Sequence, residues 1–256
     1  MTKLRVLSLF AGIGGFDLGL ERTGGFETVA FCEIDPFNCR ILNDNWPAVP
    51  RFSDVRELTG KMLHDAGIYP NVIVGGFPCQ DASVANIEGE GTLGDRTGLY
   101  SEMCRLAWQL DVDFMLMENV ANLLNRGFGD ILGALAEIGF DAEWECISAR
   151  DAGANHERER VWIMAYPQCA GREGSQPLNG VLGRAKASLA KHGDPSLGEW
   201  RSLVSDKLGV RTEHGLSVAM ERRRLFALGN AVLPQIPEII GRTILASLNE
   251  QRSEAA

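Results

Sequence analysis

The chain has 256 residues, of which 45% are hydrophobic and 23% are charged, as in an ordinary globular protein. It contains no apolar run of about 18 residues or more, and its N-terminus lacks the apolar region of a signal peptide, so we expect no membrane association. Its six cysteines show no CxxC pair and no zinc-ligand spacing. We therefore expect reduced thiols, no metal site and a cytoplasmic location.

The net charge of −9 is distributed unevenly along the chain. Residues 1–166 contain 13 Lys and Arg against 25 Asp and Glu, a balance of −12. Residues 167–224 contain 10 against 6, a balance of +4, and end in three consecutive arginines. An acidic body with one basic segment is compatible with a polyanionic partner bound through a limited surface. It is equally compatible with a solvated charged loop, so charge alone leaves the choice open.

Strands alternate with helices through most of the chain. A strand over 4–9 is followed by a glycine-rich turn and by a helix that reaches Glu21. A second strand over 29–32 precedes Asp35 and Pro36, which favour a helix start as N-cap and first helical residue. The pattern further predicts a short strand ending near Asp54, strands over 72–74, 114–117 and 161–165, and helices over 129–139 and 237–248. This alternation indicates an α/β fold with a doubly wound, mostly parallel sheet.

Residues 168–221 interrupt the alternation. They are rich in Gly, Ser, Pro, Lys and Arg and show no sustained periodicity, which predicts a loop-rich insert. We therefore divide the chain into a main α/β domain over 1–166, a small segment over 167–224, and a return to the main domain with a closing helix over 225–256.

The first predicted strand ends in a glycine-rich loop with the sequence Phe-Ala-Gly-Ile-Gly-Gly over residues 10–15. Its glycines would let the backbone approach a ligand closely. A dinucleotide fingerprint would require glycine at position 17, where this chain has Asp17, and that argues against NAD. Glu33, at the end of the second strand, is placed to accept hydrogen bonds from ribose hydroxyls. A nucleoside-bearing cofactor without a pyrophosphate fits these residues best, although a tight turn with a surface glutamate is the alternative.

Two residues at the ends of later strands are candidate catalytic groups. Cys79 follows two glycines and a proline after the strand over 72–74, a position that would present its thiolate as a nucleophile. A small buried cysteine at a turn is the alternative. Glu118, desolvated at the end of the next strand, could be protonated near neutral pH and serve as a general acid, or it could cap a helix. Ligands of doubly wound sheets bind beyond the carboxyl ends of the strands, where both residues would meet the glycine-rich loop.

A further pair of arginines precedes the strand over 161–165. Arg158 and Arg160 alternate, so they lie on the same face of an extended segment. One could hold a phosphate and the other a base carbonyl. A solvated ladder of ion pairs with Glu157 and Glu159 explains the same pattern equally well.

The ordered set of these motifs resembles the C5-cytosine DNA methyltransferase family. The matching residues are Phe10-Ala11-Gly12-Ile13-Gly14-Gly15, Glu33, Asp54, Pro78-Cys79-Gln80, Glu118-Asn119-Val120, Arg158-x-Arg160 and Gly229-Asn230-Ala231-Val232. The resemblance covers roughly residues 4–166 and 225–248. It implies an enzyme with the fold of S-adenosylmethionine-dependent methyltransferases that flips a cytosine out of duplex DNA and methylates C5. Its location would be the cytoplasm of a bacterial cell or a phage-infected host.

The resemblance also implies roles for single residues. Cys79 would attack C6 of the cytosine, Glu118 would contact N3, and Arg160 would hold O2, with Arg158 contacting DNA or supporting the loop. Glu33 would bind the ribose of S-adenosylmethionine, and Asp54 with Val55 would hold its adenine. The full set of implied cofactor contacts is Phe10, Ala11, Gly12, Ile13, Gly14, Glu33, Ile34, Asp54, Val55, Pro78, Leu99, Asn230 and Ala231. Ile34 stands where the family commonly has a large aromatic residue, so aliphatic packing would replace stacking on the adenine.

Duplex DNA is the partner that the resemblance implies. Residues 80–98 resemble the catalytic loop that closes over DNA, which makes Gln80 and Ser83 candidate contacts. The 58 residues from Pro167 to Arg224 stand where the family usually has a long target-recognition domain, and its shorter, often phage- or prophage-encoded members are similar. The basic residues of this segment are therefore candidate phosphate or base contacts: Arg172, Arg184, Lys186, Lys191, Arg201 and Arg211. A cognate restriction nuclease is a possible partner, and we expect a monomer.

Three other functions are considered against this one. A degenerate homologue that binds DNA without chemistry should have lost at least one of Cys79, Glu118, Arg160 and Glu33, and all four are present. A tRNA cytosine methyltransferase would carry a Cys-Phe-Thr signature, which is absent. An NAD-dependent oxidoreductase is opposed by Asp17 and accounts for neither Cys79 nor Glu118.

Overall fold

The computed structural model describes residues 2–78, 98–154, 157–168, 178–191, 227 and 229–254. Seven strands lie in this part of the chain: β1 (Leu4–Leu9), β2 (Phe26–Cys32), β3 (Arg51–Phe52), β4 (Val72–Gly76), β5 (Phe114–Val120), β6 (Phe140–Ser148) and β7 (Glu159–Pro167). Its α-helices are α1 (Gly15–Arg22), α2 (Pro36–Asn45), α3 (Gly60–Asp65), α4 (Tyr100–Leu110), α5 (Phe128–Glu137), α6 (Val181–Lys191) and α7 (Gln235–Glu254), with a 3-10 helix over Ala121–Asn125.

The described strands form one sheet in the order β3-β2-β1-β4-β5-β7-β6. The first five strands are parallel, and β7 runs antiparallel to both β5 and β6. The strand order reverses between β1 and β4, where the crossover connections change from one face to the other. This confirms the doubly wound, mostly parallel sheet, and it places the chain segments after β1 and β4 side by side.

Apolar side chains alternate along the central strands and fill two cores, one on each face of the sheet. In β4, Ile73 joins the core beneath α3, α4 and α5, whereas Val72 and Val74 join the core beneath α1, α6 and α7. In β5, Met115 and Leu116 divide in the same way. Because both faces are covered, these strands are continuously apolar in sequence, and each buried side chain contributes about 1.5–3 kcal/mol to folding.

The loop-rich character predicted for residues 168–221 is wrong over α6. Val181 and Leu182 on this helix are buried in the second core, where α6 packs on α7 and β6. The carboxylate of Glu143 on β6 accepts hydrogen bonds from the backbone N–H groups of Gly180 and Leu182, and so caps the first turn of the helix. The segment was too short and too rich in small residues for its helical periodicity to stand out.

The sequence predicted a closing helix over 237–248, and α7 confirms it at greater length. Ile236, Ile240 and Ile244 point into the second core, spaced by one helical turn. None of the helices in the described residues is long and apolar enough to cross a membrane.

A buried carboxyl group lies beneath the glycine-rich loop. Asp17 of α1 is 0% exposed and accepts hydrogen bonds from the hydroxyls of Ser8, at 2.9 Å, and Thr28, at 3.0 Å. Burial raises its pKa from 3.8 to about 7, although both hydroxyls oppose the shift, and nearby Glu21 adds a small further rise. The residue that argued against a dinucleotide fold is therefore part of the core between α1, β1 and β2.

Asp17→Asn should change how stability depends on pH. Because the pKa of Asp17 is higher in the folded than in the unfolded state, protonated Asp17 contributes fully to the free energy of unfolding below about pH 4. This contribution is lost as the pH rises towards 7. An asparagine can bond to both hydroxyls without ionising, so the free energy of unfolding of the variant, relative to wild type, should rise by about 4 kcal/mol between those limits. Urea unfolding across the pH range measures this. Asp65→Asn, at an exposed carboxylate of α3, is the control and should show no such trend.

Candidate active site

The glycine-rich loop after β1 has an unusual backbone. Gly12 and Gly14 have positive φ angles of 57° and 84°, and Phe10 has a φ of 52°, which is strained for a residue with a side chain. The amide of Gly14 bonds to the carbonyl of Ala11, while Ile13 is half-buried. Among the described residues, and apart from the two chain neighbours of Gly12, no atom lies within 4 Å of the position that a Cβ on Gly12 would occupy, so the loop backbone faces open space there.

Glu33, at the end of β2, holds this loop in place. It is 8% exposed, and its carboxylate accepts hydrogen bonds from the backbone N–H groups of Gly12, at 2.7 Å, and Asp35, at 2.8 Å. Each carboxylate oxygen thus keeps one lone-pair direction for a further donor. An oriented carboxylate beside an open glycine-rich backbone fits the two hydroxyls of a ribose.

The rim of this space is formed by the residues after β2 and β3. Ile34 is 64% exposed, whereas Val55 is buried. Asp54 directly precedes Val55 and accepts hydrogen bonds from the backbone N–H and the guanidinium of Arg56, with a shortest distance of 2.7 Å. These bonds lower the pKa of the Asp54 carboxyl and fix its orientation. The pairing with Arg56 was not foreseen from the sequence, because arginine two residues after aspartate is a common surface pattern.

The C-terminal segment over 229–234 reaches the same loop. A Cβ added to Gly15 would collide with the carbonyl oxygen of Val232, and one added to Gly19 would collide with that of Pro234. Only glycine permits this approach at both positions. In this segment Asn230 is exposed and Ala231 is buried, and Ala231 directly precedes Val232, which contacts the loop from more than 200 residues along the chain.

Glu118 lies near the carboxyl end of β5, directly across from Gly76 of β4. Its Oε2 is so close to Gly76 that an added Cβ there would be 2.9 Å away. Its Oε1 is 2.8 Å from Nε of Arg160 on β7. Burial raises the pKa of Glu118, and the positive charges of Arg160 and Arg158 oppose that rise. The carboxyl is therefore withdrawn from water and oriented by an arginine.

Asn119 connects this strand to the turn that follows β4. Its side chain is 3% exposed, and its Nδ2 donates to the carbonyl of Phe77 at 2.9 Å, while its Oδ1 accepts from the N–H of Val120. Phe77 is buried and Pro78 is exposed, so the chain leaves the sheet at this point. Sequence reasoning did not single out the Asn119 side chain, because an asparagine after a strand has many local roles.

Asn119→Ala tests the anchoring of this turn. It removes the donor to the buried Phe77 carbonyl, which should lower the free energy of unfolding by about 1–3 kcal/mol. Loss of positioning two residues before Cys79 should also reduce kcat by about 10- to 100-fold. Chemical unfolding and steady-state methylation assays measure the two effects. Asn122→Ala, at an exposed asparagine of the 3-10 helix, should leave both unchanged.

The remaining sequence predictions fall in three groups. Arg158 donates to the carbonyl of Ala231 at 2.9 Å. Leu99 is half-buried at the start of α4 and packs against the first core. Outside the described residues lie Cys79, Gln80, Ser83, Arg172, Arg201 and Arg211, together with the side chain of Lys191. Their assignments stay predictions.

Two predicted DNA contacts on α6 already have partners within the protein. Arg184 donates to the hydroxyl of Ser247 at 2.7 Å, and Lys186 forms an ion pair with Glu145 at 2.7 Å. A DNA phosphate would have to compete with these partners. Their role in DNA binding stays a prediction.

Sequence comparison relates the chain to known methyltransferases. Residues 4–181 match the family model for C-5 cytosine-specific DNA methylase. A Type II methyltransferase of Staphylococcus aureus is 35% identical over an alignment of 189 residues, and the match covers 66% of this chain and 44% of that protein. One of Bacillus subtilis (strain 168) is 34% identical over 170 residues, 63% of this chain and 42% of that protein. The chain spans less than half the length of these two relatives.

Structural comparison agrees on the fold. A candidate DNA modification methyltransferase encoded within an E. coli prophage superposes with a TM-score of 0.62 at 16% identity, over 96% of this chain and 100% of that one. At this identity the likeness shows the fold, which is that of a methyltransferase with a mostly parallel seven-stranded sheet. Since the family model covers more than half of the residues, the chain belongs to the C-5 cytosine-specific DNA methylase family.

Proposed function

We propose that this chain transfers a methyl group from S-adenosylmethionine to C5 of a cytosine that is flipped out of duplex DNA. The observation that carries the proposal is the pairing of Gly76 with Glu118 at the carboxyl ends of β4 and β5. It puts a buried carboxyl, oriented by Arg160, beside the turn through Phe77 and Pro78 that leads directly to Cys79. Covalent activation of a pyrimidine requires a thiol and a carboxyl at one site, and Cys79 is the residue that follows Pro78 in the sequence.

The cofactor pocket that we propose lies between the glycine-rich loop, Glu33 and the rim formed by Ile34 and Asp54. The open space at Gly12 and the free lone-pair directions of Glu33 fit a nucleoside. S-adenosylmethionine, when bound, would supply an electrophilic methyl group. Glu33 would hold the ribose and Asp54 the adenine amino group, while Phe10 and the loop backbone would enclose the methionine part.

The proposed chemistry begins with Cys79, whose thiolate forms a bond to C6 of the cytosine and breaks the aromaticity of the ring. Glu118 donates a proton or hydrogen bond to N3, so that electron density accumulates at C5 rather than at N3. Arg160 holds the O2 atom and keeps Glu118 oriented. After C5 is methylated, a solvent water molecule accepts the C5 proton, the C5–C6 double bond re-forms as the bond from C6 to the Cys79 sulfur breaks, and any proton held at N3 returns to Glu118.

The proposed DNA grip is the basic segment over 167–224, of which α6 belongs to the folded core. The rest of its basic residues would contact phosphates, offsetting the acidic charge of the main domain. Binding of a cognate nuclease and action as a monomer belong to the same proposal, as does a cytoplasmic location.

Covalent trapping tests the reaction. The protein is mixed with S-adenosylmethionine and mixed-sequence duplex DNA that contains 5-fluorocytosine, whose fluorine cannot leave C5 as a proton. We expect a stable protein–DNA adduct, which denaturing electrophoresis resolves and which DNA with ordinary cytosine does not form. An adduct with fluoro-substituted RNA alone would instead indicate an RNA substrate. No adduct with either would contradict the proposed reaction and favour a degenerate DNA-binding homologue.

A further inference from the structure

The side chain of Arg158 connects two distant parts of the chain. Its guanidinium donates a hydrogen bond to the backbone carbonyl of Ala231 at 2.9 Å, across 73 residues of sequence. Its own backbone is fixed by a bond from the N–H of Ala149 to the Arg158 carbonyl at 3.0 Å. Arg158 is half-buried, and burial together with the charge of Arg160 lowers its pKa. A guanidinium that is withdrawn from water and bonded to the main chain is less available to contact DNA phosphates.

The segment over 229–234, to which Arg158 bonds, packs against the glycine-rich loop and α1. One residue after Ala231, the carbonyl oxygen of Val232 contacts Gly15, and that of Pro234 contacts Gly19. Beyond Pro234 the chain enters α7, whose packing on α1 fixes the far end of the segment. The near end, at 229–231, is therefore fixed to the main domain by the Arg158 bond.

Arg158 also lies close enough to Glu118 for the two charges to interact. Its positive charge acts on Glu118, whose carboxylate is paired with the neighbouring Arg160. The two arginines therefore have different partners. Arg160 bonds to the carboxyl of the base pocket, whereas Arg158 bonds to the segment beside the cofactor loop.

We propose that Arg158 is a positioning residue that fixes the segment over 229–232 beside the cofactor loop and so links cofactor affinity to the base pocket. The proposal rests on the function proposed above, because it takes the glycine-rich loop as the S-adenosylmethionine site. It differs from a role in contacting DNA, which the sequence also allowed. Loss of Arg158 should increase the mobility of residues 229–231. It should lower the affinity for the cofactor more than it lowers kcat.

Three variants separate these roles: Arg158→Met, Arg158→Lys and Arg160→Met. Calorimetric titration with S-adenosylhomocysteine, without DNA, should show affinity about 10- to 100-fold weaker for Arg158→Met, because a charge-assisted hydrogen bond is lost. Arg158→Lys keeps a cationic donor and should recover most of that loss. Arg160→Met should bind S-adenosylhomocysteine like wild type and lose kcat instead. In steady-state assays, KM for the cofactor should rise more than kcat falls in Arg158→Met.

Hydrogen exchange provides a readout that does not depend on cofactor binding. Amides over 229–232 should exchange faster in Arg158→Met than in wild type or Arg160→Met, while those of α7 keep their protection. Failure of wild type to bind S-adenosylhomocysteine would contradict the proposed function, and exchange would still report on the Arg158 contact. Wild-type cofactor affinity and unchanged exchange in Arg158→Met, with weakened DNA binding, would overturn the positioning role. If Arg158→Met does not fold, the same comparison is made with Arg158→Lys, which should then show intermediate exchange.

Discussion

Replacing Cys79 by alanine is expected to abolish methyl transfer, with a loss of at least about 1000-fold in kcat. The thiolate is the only protein group that forms a covalent bond to the base in the proposed reaction. Without that bond the cytosine ring keeps its aromaticity, and C5 remains a poor nucleophile whatever the other residues contribute. Methylation assays with labelled S-adenosylmethionine measure the loss directly. DNA affinity should remain close to wild type, because the substitution removes a single side-chain atom.

Cys146→Ala is the matched control for this variant. Cys146 is a half-buried thiol on β6, the edge strand farthest from β1 in the sheet, so its loss should leave activity intact. Retained activity in Cys79→Ala would contradict the nucleophile assignment. Loss of activity in both variants would point to a general requirement for reduced thiols rather than to covalent catalysis.

Replacing Glu118 by glutamine is expected to reduce kcat by about 100- to 1000-fold, the loss typical of removing one group that stabilises transition-state charge. Glutamine preserves the shape of the side chain, and its amide oxygen can accept the bond from Nε of Arg160. It cannot transfer a proton to N3. Since Glu118 has no contact with the glycine-rich loop among the described residues, affinity for S-adenosylhomocysteine should be unchanged.

The pH profile gives a second measure of the same group. Burial raises the pKa of Glu118, so the protonated carboxyl persists to a higher pH than in water, and kcat/KM should fall as the pH rises through that raised pKa. This falling limb should be absent in Glu118→Gln. Glu145→Gln is the control, since Glu145 on β6 pairs with Lys186 of α6 and, like Glu118, lies opposite Trp162 of β7. A fully active Glu118→Gln enzyme would remove Glu118 from the mechanism.

The two substitutions also differ in their effect on covalent trapping. Cys79→Ala prevents the bond to C6, so it should give no adduct with 5-fluorocytosine DNA. Glu118→Gln keeps the thiol and should form the adduct slowly. Because fluorine blocks only the elimination that follows methyl transfer, a stable adduct requires both attack at C6 and methylation of C5, and the rate of trapping should fall together with kcat in Glu118→Gln.

Local sequence determined most of the fold. The apolar runs at 72–74 and 114–117 became buried strands because continuous β-branched and large apolar residues suit a strand covered on both faces. Asp35 caps α2 by accepting from the N–H groups of Phe37 and Asn38, as its place before Pro36 predicted. These features depend on neighbours a few residues away, so the sequence carries them directly.

Two of the elements that the sequence did not predict, β6 and α6, depend on signals that are not local. β6 is an edge strand with polar and half-buried side chains, and its pairing with β7 defines it more than its own composition does. α6 forms because Glu143 of β6 caps its first turn and because its apolar face finds a core to cover. Such interactions join residues about 40 positions apart.

The sequence by itself determined which residue types stand at the carboxyl ends of the strands, and their order along the chain identified the family. Only the tertiary structure decided which of them meet. Glu118 pairs with Arg160, and Arg158 bonds to the main chain at Ala231, although the alternating arginines are equivalent in the sequence. The strand order sets these distances, and burial decides whether a charge faces water or a partner. Both depend on the packed chain as a whole, which no single segment encodes.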